Sequence, residues 1–131
     1  MKKTNTHRST GKKILIVEDD KDFLLILQTK FSSEGFLVVT AENGEEGVLV
    51  AEKENPDLIF SDILLPSMNG IEMAKKIKES NKDVKIIFLT NIKDAEYTKN
   101  VEKLGNFDYL IKSDVPISDI VARAKSKLSL K

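Results

Sequence analysis

The chain has 131 residues, of which 40% are hydrophobic and 32% are charged, as expected for one globular domain. Its 21 basic and 21 acidic residues give a formal net charge of zero, so nothing in the charge suggests binding to nucleic acid or to a membrane surface. The absence of cysteine excludes disulfides, thiolate metal sites and cysteine nucleophiles, and the single histidine, His7, excludes a histidine-based catalytic triad or zinc site.

Residues 1–11 (MKKTNTHRSTG) form a basic and polar segment that we predict to be a disordered tail before a single domain over residues 12–131. The segment lacks the apolar centre of a signal peptide. No apolar run in the chain approaches the ~20 residues of a membrane span. We therefore expect a cytoplasmic protein.

Five strand-and-helix pairs follow in chain order. Apolar runs bounded by turn residues predict strands at Lys12–Val17, Phe36–Ala41, Asp57–Phe60, Val84–Leu89 and Asp108–Ile111. Apolar residues at helical spacing predict a helix between Asp20 and Gly35 and four more over about Asn43–Lys53, Gly70–Ser80, Asp94–Leu104 and Val115–Leu128.

Two details refine the helix predictions. The first helix carries its apolar side chains at Phe23, Leu24, Ile26, Leu27 and Phe31. In the second, we expect Asn43 to cap the helix and Glu46 to complete a capping box with it.

Alternating strands and helices predict an α/β fold with a parallel sheet covered on both faces. Right-handed crossovers in a doubly wound five-stranded sheet favour the strand order 2-1-3-4-5 of flavodoxin-like (βα)5 proteins. The carboxyl ends of all strands then meet at one edge, where open α/β sheets bind their ligands.

Polar side chains follow four of the five predicted strands. Glu18 and Asp19 come after the first, Asp62 after the third, Thr90 after the fourth and Lys112 after the fifth. Each of them can handle a phosphate or a metal ion. The sequence therefore predicts a site at this edge, with Asp62 as its central residue because turn chemistry (Pro66, Asn69-Gly70) constrains the loop that follows it.

Each polar residue also has a purely structural explanation. Asp19 or Asp20 can cap the first helix, Asp62 can shape its loop, and Lys112 can be a solvated surface residue. Four such coincidences at one edge are less plausible than one site.

Three neighbouring carboxylates repel one another, and a divalent cation relieves this repulsion. An all-oxygen site favours Mg²⁺, with Mn²⁺ as an alternative, over zinc. A cation beside a carboxylate, a lysine and a hydroxyl is suited to phosphoryl transfer, in which the carboxylate attacks and the cations neutralise the oxygens of the transferring group.

The motifs ILIVEDD, IFSDILLPSMNG, IIFLTN and DYLIKS resemble those of the response-regulator receiver domain of two-component signalling. The resemblance extends from about Lys12 to Leu128. It implies a phosphoprotein of a phosphorelay, in which Asp62 accepts a phosphoryl group from a sensor histidine kinase or a histidine phosphotransfer protein. By the same resemblance, the chain is no enzyme beyond catalysing its own phosphorylation and dephosphorylation.

The resemblance also assigns individual roles. Asp19, Asp62 and the backbone carbonyl of Leu64 are implied to bind Mg²⁺ directly, and Glu18 indirectly. Thr90 matches the switch hydroxyl of the family and Lys112 its phosphoryl-binding lysine.

Tyr109 matches the aromatic residue whose rotamer reports phosphorylation in the family. An ordinary half-buried strand residue is the alternative at this position.

The chain departs from the family pattern at four positions that can modulate the site. Asn91 replaces a small residue after the switch hydroxyl and narrows access to the phosphoryl group. Ser113 replaces a proline whose preceding bond is typically cis, and we expect a trans bond here because a cis bond without proline costs about 3–4 kcal/mol.

Leu64 and Ile92 are apolar where polar residues can orient the attacking water. We therefore predict slow self-dephosphorylation, which a phospho-Asp62 half-life of seconds in Mg²⁺ would contradict.

The sequence shows no DNA-binding motif after the last helix, so we expect the output to be a contact with a downstream protein. The resemblance points to the surface of the fourth predicted helix, the fifth strand and the fifth helix, with candidate residues Lys99, Lys103, Lys125 and Lys127. If the chain is complete, it is a stand-alone regulator that is monomeric or weakly dimeric when phosphorylated. If it is a fragment, a missing carboxy-terminal domain decides the output.

The sequence also bears on three other classes of protein. An aspartate-dependent phosphatase needs a second aspartate two residues after the nucleophile, where this chain has Leu64. A flavin or nucleotide binder needs a phosphate loop after the first strand, where Glu18-Asp19-Asp20 repels phosphate. A receiver-like binding module that is not phosphorylated is the remaining alternative, kept open by Asn91 and Ser113.

Overall fold

The structure of the protein is a computed structural model that describes residues 9–91 and 107–130. Within these residues the strands are β1 (Lys13–Val17), β2 (Leu37–Ala41), β3 (Leu58–Ser61), β4 (Ile86–Thr90) and β5 (Phe107–Ile111). The helices in the same part of the chain are α1 (Lys21–Ser33), α2 (Gly44–Glu54), α3 (Gly70–Ser80) and α4 (Ile117–Lys127). The predicted helix over 94–104 lies outside the described residues, so α4 corresponds to the fifth helix of the sequence prediction.

The five strands form one parallel sheet in the order β2-β1-β3-β4-β5, which confirms the predicted topology. Val17 at the end of β1 lies opposite both Ala41 of β2 and Ser61 of β3, and Thr90 at the end of β4 lies opposite Ile111 of β5. The carboxyl ends of β1, β2 and β3 are therefore level with one another, and β4 and β5 extend two residues further, since Ser61 lies opposite Phe88. This alignment is what brings residues from distant parts of the chain to one edge.

Side chains alternate between the two faces of the sheet and build two cores. On β1, Ile14 and Ile16 join the core beneath α1 and α4, whereas Leu15 and Val17 join the core beneath α2 and α3. All four side chains are at most 1% exposed. A strand buried on both faces explains the continuous apolar run of the sequence. The largest fully buried side chains include Phe31, Phe60, Phe88, Leu27, Leu58 and Met73.

Each strand differs from its predicted bounds by one or two residues at one end or both, and the fourth, predicted over Val84–Leu89, is Ile86–Thr90. Two of the boundary differences in the chain have identifiable reasons. Asp57 lies before β3, because its side-chain Oδ2 accepts a hydrogen bond from the backbone N–H of Lys13 at 2.8 Å. The last helix begins at Ile117 rather than Val115, because residues Lys112–Asp114 form a 3-10 turn and Pro116 takes the N-cap position.

The N-terminal caps of α1 and α2 involve the predicted residues, but one predicted hydrogen bond of the α2 capping box is not formed. Asn43 caps α2 as expected, with its Oδ1 accepting from the N–H of Glu46 at 2.8 Å. The Glu46 carboxylate, however, accepts from the N–H of Glu42 at 2.7 Å instead of from Asn43. Of the two candidates for capping α1, Asp20 is the cap, since its Oδ1 accepts from the N–H groups of Asp22 and Phe23.

The start of the described chain is bonded to the domain. The N–H and hydroxyl of Thr10 both donate to the carbonyl of Gly35, at 2.9 and 3.2 Å. His7 and the rest of residues 1–8 lie outside the described residues, and the disorder predicted there stays a prediction. None of the described helices has the length and apolar character needed to cross a membrane.

Candidate functional site

The predicted polar residues lie at one edge of the sheet. Glu18 and Asp19 directly follow β1, Asp62 directly follows β3, Thr90 is the last residue of β4, and Lys112 directly follows β5. Because β1, β3, β4 and β5 are consecutive neighbours in the sheet, these residues come from adjacent strand ends. The structure thus brings together residues that are up to 94 positions apart in sequence.

The carboxylates of Glu18, Asp19 and Asp62 form a cluster. One carboxylate oxygen from each residue lies within 4.8 Å of the others. Glu18 is buried, Asp62 is partly buried and Asp19 is exposed, so the cluster opens to solvent at Asp19. Three negative charges this close repel one another unless cations are bound among them.

Lys112 supplies one of these cations. Its Nζ donates to Glu18 Oε1 at 2.6 Å and to Asp62 Oδ2 at 2.9 Å. The Lys112 side chain is only 12% exposed, so these ion pairs are largely shielded from water. The alternative of a solvated surface lysine is therefore wrong.

Glu18 is fully engaged within the protein. Its Oε1 accepts from Lys112, and its Oε2 accepts from the backbone N–H of Asp20 at 3.0 Å. With both oxygens bonded and only 2% of the residue exposed, Glu18 has little room for a direct metal bond. Its indirect role at a metal site stays a prediction.

Burial and charge set the protonation of this pair. Burial raises the pKa of the Glu18 carboxyl above its ordinary 4.5, and the hydrogen bonds from Lys112 and Asp20 offset only part of this effect. Burial lowers the pKa of Lys112, but its hydrogen bonds to Glu18 and Asp62 and the negative charges of these residues together outweigh burial and raise the pKa above its ordinary 10.5. Lys112 therefore stays charged at neutral pH.

The loop after β3 holds Asp62 through backbone contacts. Asp62 Oδ1 accepts from the N–H of Ile63 at 2.7 Å, and the Ile63 carbonyl accepts from the N–H of Gly70 at 2.7 Å. A Cβ atom on Gly70 would collide with the backbone carbonyl oxygen of Asp62. Only glycine allows this close approach. The sequence predicts Gly70 only as a turn residue, because no local pattern reveals this contact.

The residues predicted to read or modulate the site have varied exposure. Thr90 is 1% exposed at the end of β4, and Asn91 after it is exposed. Tyr109 is partly buried and packs against the core beneath α2 and α3. Their roles stay predictions, because position alone does not test a switch.

Leu64 and Ser113 follow the site residues of β3 and β5, and both are exposed. The Leu64 side chain is 55% exposed two residues after Asp62, and Ser113 lies in the 3-10 turn. The Lys112–Ser113 bond is trans, as expected, since the described residues contain no cis peptide bond. Ile92, the fourth modulating position, lies outside the described residues.

Sequence reasoning also missed Phe23. It was predicted only as an apolar residue of the first helix, yet its ring centroid lies 4.7 Å from the Nζ of Lys112. The two residues are far apart in the sequence, so no motif could have connected them.

The donor set fits Mg²⁺. Hard divalent cations take oxygen ligands, and two of the clustered carboxylates, those of Asp19 and Asp62, face partly or fully into solvent where a hydrated ion can reach them. A nitrogen or sulfur ligand set, which zinc prefers, is absent because the chain has no cysteine and its one histidine is His7.

Comparison with known proteins identifies the family. The sequence pattern of the response regulator receiver domain matches residues 14–125, and the chain belongs to that family. It is 39% identical over 119 residues to the alkaline phosphatase synthesis transcriptional regulatory protein PhoP of Bacillus subtilis, covering 90% of this chain and 49% of PhoP. It is 31% identical over 121 residues to sporulation initiation phosphotransferase F of the same organism, covering 92% and 97%.

Solved structures agree with this assignment. The response regulator TrrA of Thermotoga maritima, solved with Mg²⁺ and BeF, superposes with a TM-score of 0.78 at 32% identity, covering 88% of this chain and 98% of TrrA. A CheY-like receiver domain protein of Methanospirillum hungatei gives a TM-score of 0.85 at 31% identity, covering 90% and 94%. The chain spans about half the length of the transcriptional regulators that it matches.

Proposed function

We propose that Asp62 of this receiver domain accepts a phosphoryl group from a sensor histidine kinase or a histidine phosphotransfer protein in the presence of Mg²⁺. The observation that supports this most directly is the shared lysine: Lys112 bonds Asp62 Oδ2 at 2.9 Å and Glu18 Oε1 at 2.6 Å beside the clustered carboxylate of Asp19. One acidic side chain, one fixed cation and a set of oxygen ligands are the parts that phosphoryl transfer to a carboxylate requires.

The chemistry of the proposed step is a simple displacement. A carboxylate oxygen of Asp62 forms a bond to phosphorus while the bond from phosphorus to the donor's imidazole nitrogen breaks, and the imidazole keeps the electron pair. Lys112 neutralises charge on the oxygens of the transferring group, and the Thr90 hydroxyl at the end of β4 donates a hydrogen bond to them. When bound by Asp19, Asp62 and the Leu64 carbonyl, Mg²⁺ supplies further charge neutralisation.

The proposal also covers the downstream protein partner and the surface that binds it. We propose that phosphorylation changes the surface of the fourth predicted helix, β5 and α4, which then binds a downstream protein in the cytoplasm. Lys125 on α4 already pairs with Glu34 Oε1 at 2.8 Å, so this candidate would have to exchange a partner on binding. Lys99 and Lys103 lie outside the described residues.

The test is a measurement of intact mass. The chain is incubated with Mg²⁺ and acetyl phosphate, and we expect wild type to gain one phosphoryl group that Asp62→Asn does not gain. Asp20→Asn is the matched control, because it removes a carboxylate next to the cluster and asparagine caps helices as well as aspartate does. It should still be phosphorylated.

No gain in wild type with acetyl phosphate or any other small donor would contradict the proposal. That result would favour the alternative, a receiver-like binding module that is not phosphorylated. A gain that persists in Asp62→Asn would place the acceptor elsewhere.

A further inference from the structure

The ring of Phe23 lies against the ammonium group of Lys112, with 4.7 Å between Nζ and the ring centroid. We propose that Phe23 is a positioning residue that holds Lys112 in the orientation used for phosphoryl transfer. The proposal rests on the function proposed above and adds a residue to it. Phe23 would act through Lys112 and would touch neither the phosphoryl group nor the metal.

The first turn of α1 places Phe23 at this point. Asp20 caps the helix by accepting from the N–H groups of Asp22 and Phe23, at 3.1 and 3.3 Å, which fixes the third helical residue relative to the end of β1. The partly buried Phe23 side chain packs against the core beneath α1 and α4. The helix and the core therefore hold the ring, and one face of the ring contacts Lys112.

An aromatic face is well suited to hold this lysine. The ring attracts a cation through its quadrupole, and this attraction is larger when the cation is shielded from water, as Lys112 is at 12% exposure. A phenylalanine ring has no lone pair that could accept an ammonium N–H in the way a carboxylate oxygen does. Glu18 and Asp62 accept two of the three N–H bonds of the ammonium group. Phe23 thus attracts Lys112 without competing for the donor that an incoming phosphoryl oxygen needs.

The alternative explanation is that Phe23 contributes only packing. A space-filling role depends on the volume of the side chain, whereas the proposed role depends on the negative charge density of the ring face. Fluorine atoms on the ring withdraw this charge density and change the volume little. A series of phenylalanine analogues with one, two and three fluorine atoms at position 23 separates the two roles.

The experiment measures the rate of phosphorylation of Asp62 by acetyl phosphate and Mg²⁺ across this series. We expect the rate to fall stepwise with each fluorine, by about three- to tenfold over the series, which corresponds to the usual strength of a partly shielded cation–ring contact. The melting temperature should stay nearly constant. The matched control is the same series at Phe31 on the same helix, which is 0% exposed and packs against the rings of Phe36 and Phe60.

A second readout uses the protein without donor or metal. The Lys112 side-chain NH₃⁺ signals should carry a ring-current shift in the NMR spectrum, which Phe23→Tyr keeps and Phe23→Leu removes. If this shift is absent from wild type, the contact does not exist in solution and the proposal is overturned.

The remaining outcomes distinguish a failure of this proposal from a failure of the proposed function. If wild type is phosphorylated and the rates are the same across the position-23 series, Phe23 only fills space and the proposal fails while the proposed function stands. If the Phe31 series slows phosphorylation equally, the effect is one of packing and the proposal also fails. If wild type gains no phosphoryl group, the proposed function fails, and the role of Phe23 in it fails as well, even where the NMR contact is present.

Discussion

Among the charged residues in the part of the chain that the structure describes, Glu18 is the most deeply buried. It is 2% exposed, and an ionised carboxylate at such a position is costly unless it is paired and hydrogen-bonded. Lys112 provides the pairing and the Asp20 N–H provides a further hydrogen bond. Lys112 thus has a structural role beside its proposed part in phosphoryl transfer.

Lys112→Met removes this pairing and keeps the unbranched side chain. We expect the free energy of unfolding at pH 7 without Mg²⁺ to fall by about 3 kcal/mol, because a buried carboxylate loses its cation. The pKa of Glu18, already raised by burial, should rise further, so the folded state binds the proton more tightly than the unfolded chain does. Urea unfolding at pH 7 and pH 5 should therefore show a smaller loss at pH 5.

Lys112 gives the wild type a pH dependence of the same sign at high pH, because its pKa is also raised on folding. The pKa of Lys112 is raised in the folded chain, so the stability it contributes is fully present below the unfolded value of 10.5 and is lost as the pH rises through the folded value.

Lys125→Met is the matched control for both measurements. Lys125 pairs with Glu34, which is more exposed and keeps Lys30 as a second partner at 3.4 Å. Its loss should cost less than about 1 kcal/mol. Equal losses for Lys112→Met at pH 7 and pH 5 would show that Glu18 is not the source of the effect.

At the scale of elements, the start of α2 packs directly on the loop that carries Asp62. A Cβ atom on Gly44 would collide with the backbone carbonyl and the Cβ of Met68, which lies in the segment between β3 and α3. A Cβ atom on Gly47, one turn further along α2, would meet the flexible end of the Met73 side chain and would lie 3.2 Å from Cγ2 of Val17, so its nearest neighbours are side chains and not backbone. The helix and the loop therefore approach closely where the backbone of Met68 cannot move aside.

Two glycine-to-alanine substitutions on the same helix test this contact. We expect Gly44→Ala to lower the free energy of unfolding by about 1–3 kcal/mol, because backbone must shift to admit the methyl group. Gly47→Ala should change it by less than about 1 kcal/mol, because Met73 can adjust and alanine is the better helix former. Thermal unfolding of both variants is the measurement, and equal losses would mean that the Met68 contact is not the constraint.

In the whole molecule, the site joins the ends of strands that are far apart in the sequence and meet only in the folded sheet. Asp19 follows β1 and Asp62 follows β3, so a cation that binds both carboxylates binds the folded chain and has no comparable site in the unfolded one. Occupancy of the site should therefore stabilise the whole domain.

We expect Mg²⁺ at about 100 times its dissociation constant to raise the free energy of unfolding by about 2.7 kcal/mol. Asp19→Asn should reduce this gain strongly, and Asp20→Asn should leave most of it. The measurement is urea unfolding with and without Mg²⁺ at constant ionic strength. A gain that is the same in wild type and Asp19→Asn would place the ion elsewhere.

Much of this protein follows from its sequence because its patterns are local. Apolar runs and turn residues predict the five strands, and the alternation of strands with helices predicts the parallel order that the structure has. Since parallel strands end at the same edge, the residues that follow the predicted strands (Asp19, Asp62, Thr90 and Lys112) are predicted to share one site. In the structure Thr90 is itself the last residue of β4.

Contacts that depend on how closely separate elements approach are visible only in the folded structure. Phe23 against Lys112, Gly70 against the Asp62 carbonyl, and Gly44 against Met68 each join residues whose spacing is set by packing between elements. The same holds for Glu18, whose burial and two bonded oxygens separate it from the exposed Asp19 next to it. Sequence patterns indicate on which face of its own helix or strand a side chain lies. The distances between elements are set only by the packing of the whole core.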